Sequence, residues 1–577
     1  MTAVTTPSTD KGLRKPLALV SLASTDSLTT CSSSNSNSIE TDDVTKETQW
    51  ESLLYPKFGN GRLPNQADAT KWLKFLIYIP VIALATTLVS MEILLRTALR
   101  YGIVQQMDRL LQSIWTDSIL FTVALMSVIM IIVSAIVPDL HSIMMLWYGK
   151  QTRSLPLDPD KRLVHAVVIC QYKEPLEVLD ATVQSLVDGT LACNTIVLLA
   201  CEARDPFADD VFEILESKYS QYFRNFIKTT HELSPGEVIG KSSNENHAVR
   251  QLYSYIMQEG IDPFDVMVTV CDADSLFDPV FLEHVEAEFW RMPDGRRVIY
   301  NAPINTYRNL RECDLFVQVV EMARCQDDVF PGLMAYRPSQ SNYSLTLGFC
   351  HEIDYWDPTN TAEDFHTALK AMAFTGQGTT VVVQVWSLIL NDSVCSTKDR
   401  WTQAKRHMWG IEECAWTMEL YSHLRFKRWI SLIGLTFGRM ILSGSCLPSS
   451  PLLFLPSVRA CFFSLEVSTQ RFFIGVFVVQ KLVGWIQVVI REVVIRRFIL
   501  ADRKHMLKAG WKNWLVLVTP LYIIIEQASL FFFYTFATWA MLWHACHHNT
   551  ILYVTAPKSF TTNEKSEKAI DEVRKSV

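Results

Sequence analysis

Two apolar runs, Phe75–Leu95 and Ser118–Val137, each reach the ~20 residues that a helix needs to cross hydrocarbon. A long stretch without such runs follows before others begin near Trp429. A chain written this way is constrained to hold a water-facing unit between membrane segments. Composition agrees, with 49% apolar and 20% charged residues and a mean hydropathy of +0.13, which excludes a disordered or collagen-like chain. The length of 577 residues exceeds one typical core, so more than one structural unit is expected. A net charge of −7 leaves no global basic field, and no nucleic-acid partner is expected. The 13 cysteines show no repeated C-x-x-C pair, which speaks against a disulfide framework or zinc ribbon and for a reduced, cytosol-facing compartment.

Residues 1–50 form a Ser/Thr-rich tail with no apolar period, expected to be disordered, and no signal-peptide pattern precedes it. Residues 72–137 hold the first two spans. Lys57, Arg62, Lys71 and Lys74 precede them and Lys150, Arg153, Lys161 and Arg162 follow, which places both flanks in the cytosol. Between 160 and 425 the texture changes. β-Branched runs at Val164–Cys170, Thr195–Ala200, Val266–Val270 and Val298–Tyr300 alternate with helical stretches such as Pro175–Leu186. That alternation predicts an α/β domain with a mostly parallel sheet, whose ligands bind beyond the carboxyl ends of the strands. Residues 427–545 turn apolar again, with membrane candidates at Trp429–Cys446, Phe472–Ile490 and Leu515–Trp543. The last is either a tilted span or a hairpin broken near Pro520. Pro451–Phe463 reads as an interfacial or re-entrant piece, and Arg491–Lys512 as a basic amphipathic segment on the cytosolic face. Residues 546–577 are a polar tail.

Asp272-Ala273-Asp274 ends the apolar run VMVTVC, and period-2 geometry puts both carboxylates on one face. Two oxygens aimed outward from a strand end suit a hard divalent cation holding a diphosphate, although an ordinary surface turn has the same pattern. The loops after the first two strands, Gln171–Pro175 with Glu174 and Cys201–Asp205 with Glu202 and Arg204, fall at the same sheet edge. A charged group there can hold a nucleotide's ribose or base; a solvated Glu202–Arg204 pair is the plainer reading. Lys241, Asn244 and Asn246 either face a diphosphate or base, or simply start a polar helix. Thr361 is a candidate cap for a helix with Asp364 at its third position, and Asp364, placed at a rigid helix start, is read as a general base, a role compatible with that cap. Gln403, Arg406, His407 and Gly410 share one helical stripe, with Trp409, Glu413, Trp416 and Leu420 on its neighbour. Such groups suit a departing diphosphate and a sugar acceptor, or an interfacial helix. The cluster His544–His548 matches no standard metal spacing. Asn342 and Asn391 open glycosylation sequons, which would go unused in a cytosolic domain.

Taken in order, the set resembles glycosyltransferase family 2, and more closely its membrane-embedded branch of cellulose, chitin and hyaluronan synthases. The resemblance covers roughly Arg162 to Trp409 plus the helix order on both sides. It implies a GT-A-like, Rossmann-like catalytic domain inserted between α-helical transmembrane segments, a UDP- or GDP-sugar donor, inversion at the anomeric carbon, and Mg²⁺ or Mn²⁺. Glu202 falls where the family's first Asp is expected, Asp272 and Asp274 match D-x-D, Asp364 matches the general base with Glu363 beside it, and Gln403 and Arg406 match Q-x-x-R. The implied donor-binding set is Glu174, Glu202, Asp272, Gln403 and Arg406, with Asp272 and Asp274 at the metal and His407 and Trp409 toward the acceptor. Glu202 replaces Asp, His407 stands where an acceptor-stacking Trp belongs, and Ser341–Cys350 reads SNYSLTLGFC where processive synthases carry a Cys-Gly-Ser-like segment. The expected protein is a multi-pass enzyme of the plasma membrane or an endomembrane, acting on a lipid or glycan acceptor such as a growing polysaccharide. The rival is a non-catalytic membrane scaffold that retains the fold.

Overall fold

The computed structural model of the chain describes residues 63–69, 71–72, 78–116, 162–329, 339–385, 387–407, 412–445 and 456–496, with short pieces between 122 and 144 and between 519 and 528. The tail 1–50, the tail 546–577 and the His544–His548 cluster lie outside the described residues, as do most of Ser118–Val137 and Leu515–Trp543.

Helices α1 (Ile79–Arg100) and α2 (Ile103–Thr116) precede the α/β region. There β1 (Val164–Gln171), α3 (Leu176–Val187), β2 (Thr195–Glu202), α4 (Ala208–Tyr219), β3 (Asn225–His231), α5 (Lys241–Gln258) and β4 (Val266–Cys271) alternate. Next come β5 (Leu276–Phe277), α6 (Phe281–Arg291), β6 (Ile299–Asn301), β7 (Ile304–Asn305) and α7 (Leu315–Val329). They are followed by β8 (Tyr343–Thr346), α8 (Leu347–Glu352), α9 (Glu363–Thr375), β9 (Val382–Gln384), β10 (Ile389–Leu390) and α10 (Thr397–His407). Helices α11 (Glu412–Glu419), α12 (Phe426–Ser445), α13 (Pro456–Ser464) and α14 (Val467–Val494) complete the described chain.

The main sheet has seven strands in the order β3-β2-β1-β4-β8-β6-β9. β1, β2, β3 and β4 pair in parallel, β8 runs antiparallel to β4 and β6, and β9 is parallel to β6. Both faces are covered, which is why the strands read as unbroken apolar runs. Ala166 and Val168 turn toward Ala248, Val249, Leu252 and Ile256 of α5, while Val167 and Ile169 turn toward Leu179 and Val183 of α3 and Val285 of α6. The four expected strands are all present, with ends moved by one or two residues. Register sets Gln171 beside Cys201 and Ile169 beside Cys271. The loops after β1, β2 and β4 therefore open side by side at one edge.

A second, three-stranded sheet has the order β5-β10-β7. Each of its strands adjoins a residue that matters below: β5 follows Asp274, β10 precedes Asn391, and β7 precedes Tyr307 and Arg308. Its apolar side joins Leu276, Tyr307, Leu388 and Leu390 to Val494 and Ile495 at the end of α14.

Of the expected membrane segments, Phe75–Leu95 falls largely within α1, Trp429–Cys446 within α12 and Phe472–Ile490 within α14. Pro451–Phe463 contributes α13, which begins at Pro456. Of the segment Arg491–Lys512, Arg491–Val494 belongs to α14 and residues 497–512 lie outside the described residues. Among the described residues one helix, Val467–Val494, is long and apolar enough to cross a membrane.

Candidate active site

Asp272 and Asp274 lie just past the end of β4, in a turn closed by Ser275 N–H donating to Asp272 O at 3.1 Å. Their convergence is therefore made by the turn rather than by strand pleat. Both carboxylates come within reach of one amide: Asn391 Nδ2 is 3.5 Å from Asp272 Oδ2 and 3.3 Å from Asp274 Oδ1. Asn391 also donates to Ser275 Oγ at 2.9 Å and accepts from Asn342 Nδ2 at 2.5 Å. Asn342 Oδ1 in turn accepts from Ser275 Oγ at 3.1 Å. The two sequon asparagines are thus buried in the floor of the site, which closes them to any glycan whatever side of a membrane they face. In the order of residues the two were legible only as sequons, and nothing there pointed to this role.

The first residue of α5, Lys241, is the cationic centre of the site. Its Nζ lies 2.8 Å from Glu363 Oε1, 3.2 Å from Asp272 Oδ1 and 3.5 Å from Glu245 Oε1, and it donates to Ser341 O at 2.9 Å. Several carboxylates share one ammonium in a poorly hydrated space. Burial pushes Glu245 up to about 7 against the pull of Lys241, and it pushes Glu363 well above the usual carboxylate range. The ammonium is held charged by Asp272, Glu363 and Glu245 in spite of its burial. Asn244 and Asn246 do not share this role: they donate inward, Asn244 to Ala200 O at 2.8 Å and Asn246 to Trp356 O.

Asp364 stands next to Glu363 but is only half-buried. One carboxylate oxygen accepts from Ser341 N–H at 3.2 Å and the other from Phe365 N–H at 2.7 Å. The capping expectation is corrected here. The residue before α9 is Ala362, no side chain caps the helix, and Thr361 Oγ1 is buried without a hydrogen-bond partner. Asp364 sits at the second helical position, one place too early to close a capping box with Thr361.

Glu202 closes the neighbouring loop. It is buried at the end of β2 and ion-paired with exposed Arg204, whose guanidinium lies 4.8 Å over the Tyr172 ring. Asp205, buried, binds this loop to the one after β1 by accepting from Gln171 Nε2 and Lys173 N–H, each at 2.7 Å. Glu174 lies half-buried in that first loop. Gln403 is on α10, where its Oε1 accepts from Arg400, and Arg400 is anchored by buried Glu321 of α7 at 2.8 Å. Arg406 and His407 lie on the last turn of α10, and Trp409 and Gly410 lie outside the described residues. The second stripe is corrected: Glu413 and Trp416 are buried, Glu413 against His366 at 2.8 Å and Trp416 with its ring 4.6 Å from that imidazole. They are core, not acceptor contacts.

Among the described residues no group of three or more His, Cys, Asp and Glu side chains is arranged as a metal site. Asp272 and Asp274 nevertheless fit Mg²⁺ or Mn²⁺ in the manner of nucleotide enzymes, where one or two carboxylates suffice and phosphate oxygens and water fill the other positions. The 35% exposure of the Asp272 side chain leaves an open side for them.

Comparison with known proteins bears on the class of chemistry. No curated protein matches the chain. Solved structures include the mannosyltransferase PcManGT from Pyrobaculum calidifontis in complex with GDP-Man and Mn²⁺, 12% identical over 69% of this chain and 96% of that one, with a TM-score of 0.31. They also include S. aureus TarS 1–349 in complex with UDP-GlcNAc, 12% identical over 52% of this chain and 81% of that one, also with a TM-score of 0.31. Superposition this loose carries no argument about the site. The family comparison speaks to the class of enzyme: residues 267–546, which begin in β4 just ahead of Asp272 and run past Asp364 and Gln403, match the model described as glycosyl transferase family group 2. With that match on the segment that bears these residues, the chain is a glycosyltransferase with a family 2 domain.

Proposed function

We propose that the chain is a membrane-bound, inverting transferase that moves a sugar from a UDP- or GDP-sugar to a lipid or glycan acceptor, with its catalytic domain in the cytosol. The observation that carries this reading is the convergence of Asp272 and Asp274 on Asn391, with Lys241 binding the same edge to Glu363 beside Asp364. A bound Mg²⁺ or Mn²⁺ would offset the charge that builds on the diphosphate as it leaves. Asp272 and Asp274 would hold that ion, and Asn391 keeps the two carboxylates facing one point. Asp364 accepts the proton of the acceptor hydroxyl while that oxygen bonds to the anomeric carbon and the bond to the diphosphate breaks. Its half-exposure and its position outside the Lys241 ion pair suit it to this work better than Glu363, whose carboxyl is buried and pushed toward the protonated form. Gln403 and Arg406 steady the diphosphate, Glu174 and Glu202 bound the nucleoside end, and the family resemblance assigns His407 and Trp409 to the acceptor. Helix α14, long and apolar enough to cross a membrane, supports the membrane-bound part of this reading, and the multi-pass arrangement at a plasma membrane or endomembrane rests on the apolar runs of the sequence. The arrangement of carboxylates that the chemistry requires favours this reading over a non-catalytic scaffold.

The test is a screen of UDP- and GDP-sugars for Mn²⁺- or Mg²⁺-dependent turnover by purified protein, repeated with Asp274→Asn. Removing one anionic ligand is expected to cut turnover on the order of 10²–10³-fold without unfolding the protein. Wild-type turnover in the variant refutes the metal assignment.

A further inference from the structure

The donor site is mounted on the small sheet β5-β10-β7, and that sheet is fastened to the end of α14. We propose that Glu492 on α14 is a positioning residue for the donor site, acting through Tyr307 and Arg308 on the loop that carries Asp274. The inference rests on the donor-site reading above. Glu492 is fully buried, although it lies near the end of a helix apolar enough to cross a membrane. A carboxylate enclosed at such a place costs free energy unless its partners compensate it. Its partners come from both sides. Arg496 Nε donates to Glu492 Oε1 at 2.6 Å from the turn beyond, and Gln326 Nε2 of α7 lies 3.4 Å from Oε2. Tyr307 O–H donates to the same oxygen, with the Arg496 guanidinium 5.5 Å from the Tyr307 ring.

Tyr307 is buried two residues past β7, so its ring fixes where the next residue leaves the sheet. That next residue is Arg308. Its Nη1 donates to Asp274 O at 2.5 Å, and its Nε lies 3.5 Å from Asp392 Oδ1, beside Asn391. Arg308 therefore grips the Asp274 turn and the residue following Asn391, the two places from which the metal side of the site is built. A shift of the α14 end relative to the sheet reaches Asp274 through three consecutive contacts, Glu492 to Tyr307, Tyr307 to Arg308 along the chain, and Arg308 to Asp274. No comparable fastening is needed for the fold alone, because Leu276, Leu388, Leu390, Val494 and Ile495 already bury that interface.

The experiment compares wild type, Tyr307→Phe, Glu492→Ala, Glu492→Gln and the Tyr307→Phe/Glu492→Ala double variant in the full chain. It reads backbone hydrogen exchange at residues 272–276 and the donor KM and kcat. The phenylalanine variant keeps the ring and its packing, so it serves if Glu492→Ala does not fold. Tyr307→Phe and Glu492→Ala should each speed exchange at 272–276 and raise donor KM on the order of tenfold with kcat nearly unchanged. The double variant should be no worse than either single one, and Glu492→Gln, which retains an acceptor oxygen for Tyr307, should recover most of the loss. Unchanged exchange and KM in Tyr307→Phe, or additive effects in the double variant, overturn the proposal. The exchange readout needs no turnover, so its failure is distinct from failure of the donor-site reading, which shows as wild-type turnover in Asp274→Asn.

Discussion

Lys241 Nζ stands 2.8 Å from Glu363 Oε1, so the first residue of α5 meets the first residue of α9 across the sheet edge. A cation at a helix N-terminus opposes the helix dipole, whereas an anion there is favoured. Lys241 holds its place because Asp272, Glu245 and Glu363 surround it, and the pair joins the Asp-x-Asp turn to the helix that presents Asp364. Two helix N-termini aimed at one edge also suit an anionic diphosphate.

Removing the ammonium should be costly. Lys241→Met leaves Glu363, Glu245 and Asp272 in a poorly hydrated space without their shared cation, and loss of one partner from a buried ion pair costs roughly 3–5 kcal/mol. Denaturant unfolding of the purified protein is expected to show a loss of that size. Adding Glu245→Gln to the variant should return part of it, because one buried charge is then removed. A single variant as stable as wild type contradicts the assigned electrostatics.

Asp364→Asn tests the proton acceptor. Asparagine still accepts the hydrogen bonds from Ser341 and Phe365 through its side-chain oxygen, so the variant should melt near wild type and bind the donor nucleotide. It cannot take up the acceptor's proton at neutral pH, and transfer should slow by at least ~10²-fold. Normal transfer rates would move the base elsewhere, with Glu363 the adjacent carboxylate.

Topology needs a reporter other than the sequons. Asn342 and Asn391 are buried and should carry no glycan in either orientation. Cys193 is exposed in the short turn before β2 and serves instead. In intact cells a membrane-impermeant maleimide should leave the Cys193 peptide unlabelled, and permeabilisation should expose it. Labelling without permeabilisation contradicts the cytosolic orientation.

His366 predicts a pH dependence of stability. Its imidazole is buried, with Nδ1 2.8 Å from Glu413 Oε2, Nε2 3.3 Å from Asp357 Oδ2, and Asn360 Nδ2 3.0 Å from Nδ1. Burial disfavours its charge, but the two carboxylates prevail and raise it to about 9, above the ~6.5 of an unfolded histidine. A raised folded value means that the stabilisation is complete below ~6.5 and is lost as pH climbs through about 9. Thermal melts should therefore fall between neutral pH and pH 9–10, and His366→Gln should flatten that limb. A wild-type melting temperature that does not fall across this range contradicts the charged state.

The strands and the Asp-x-Asp turn were legible because their signals are local. An unbroken β-branched run states that a strand is buried on both faces, and polar residues directly after it mark the edge where ligands bind. Asp272 and Asp274 could be picked out on that ground alone, whereas Asp364 was read from a helix start and Glu363 from the family resemblance. The capping box at Thr361 was misread because one residue decides where a helix starts, and the entry of the chain from Asp357 and Asn360 sets that start at Glu363. Glu413 and Trp416 were misread because helical spacing places residues on a stripe without saying what covers it. Asn342 and Asn391 were legible only as sequons, and Glu245, Asp205 and Arg308 carried no signal of their own. Glu245 meets Lys241 within α5, but the others acquire their roles from partners far along the chain, as Asn391 does from Asp274 at a separation of 117 residues. Sequence periodicity reports which positions share a face, since that follows from the element the residues sit in. Which buried polar groups face one another depends on how the sheet, α5, α9 and α14 are brought together, and only the tertiary structure decided that.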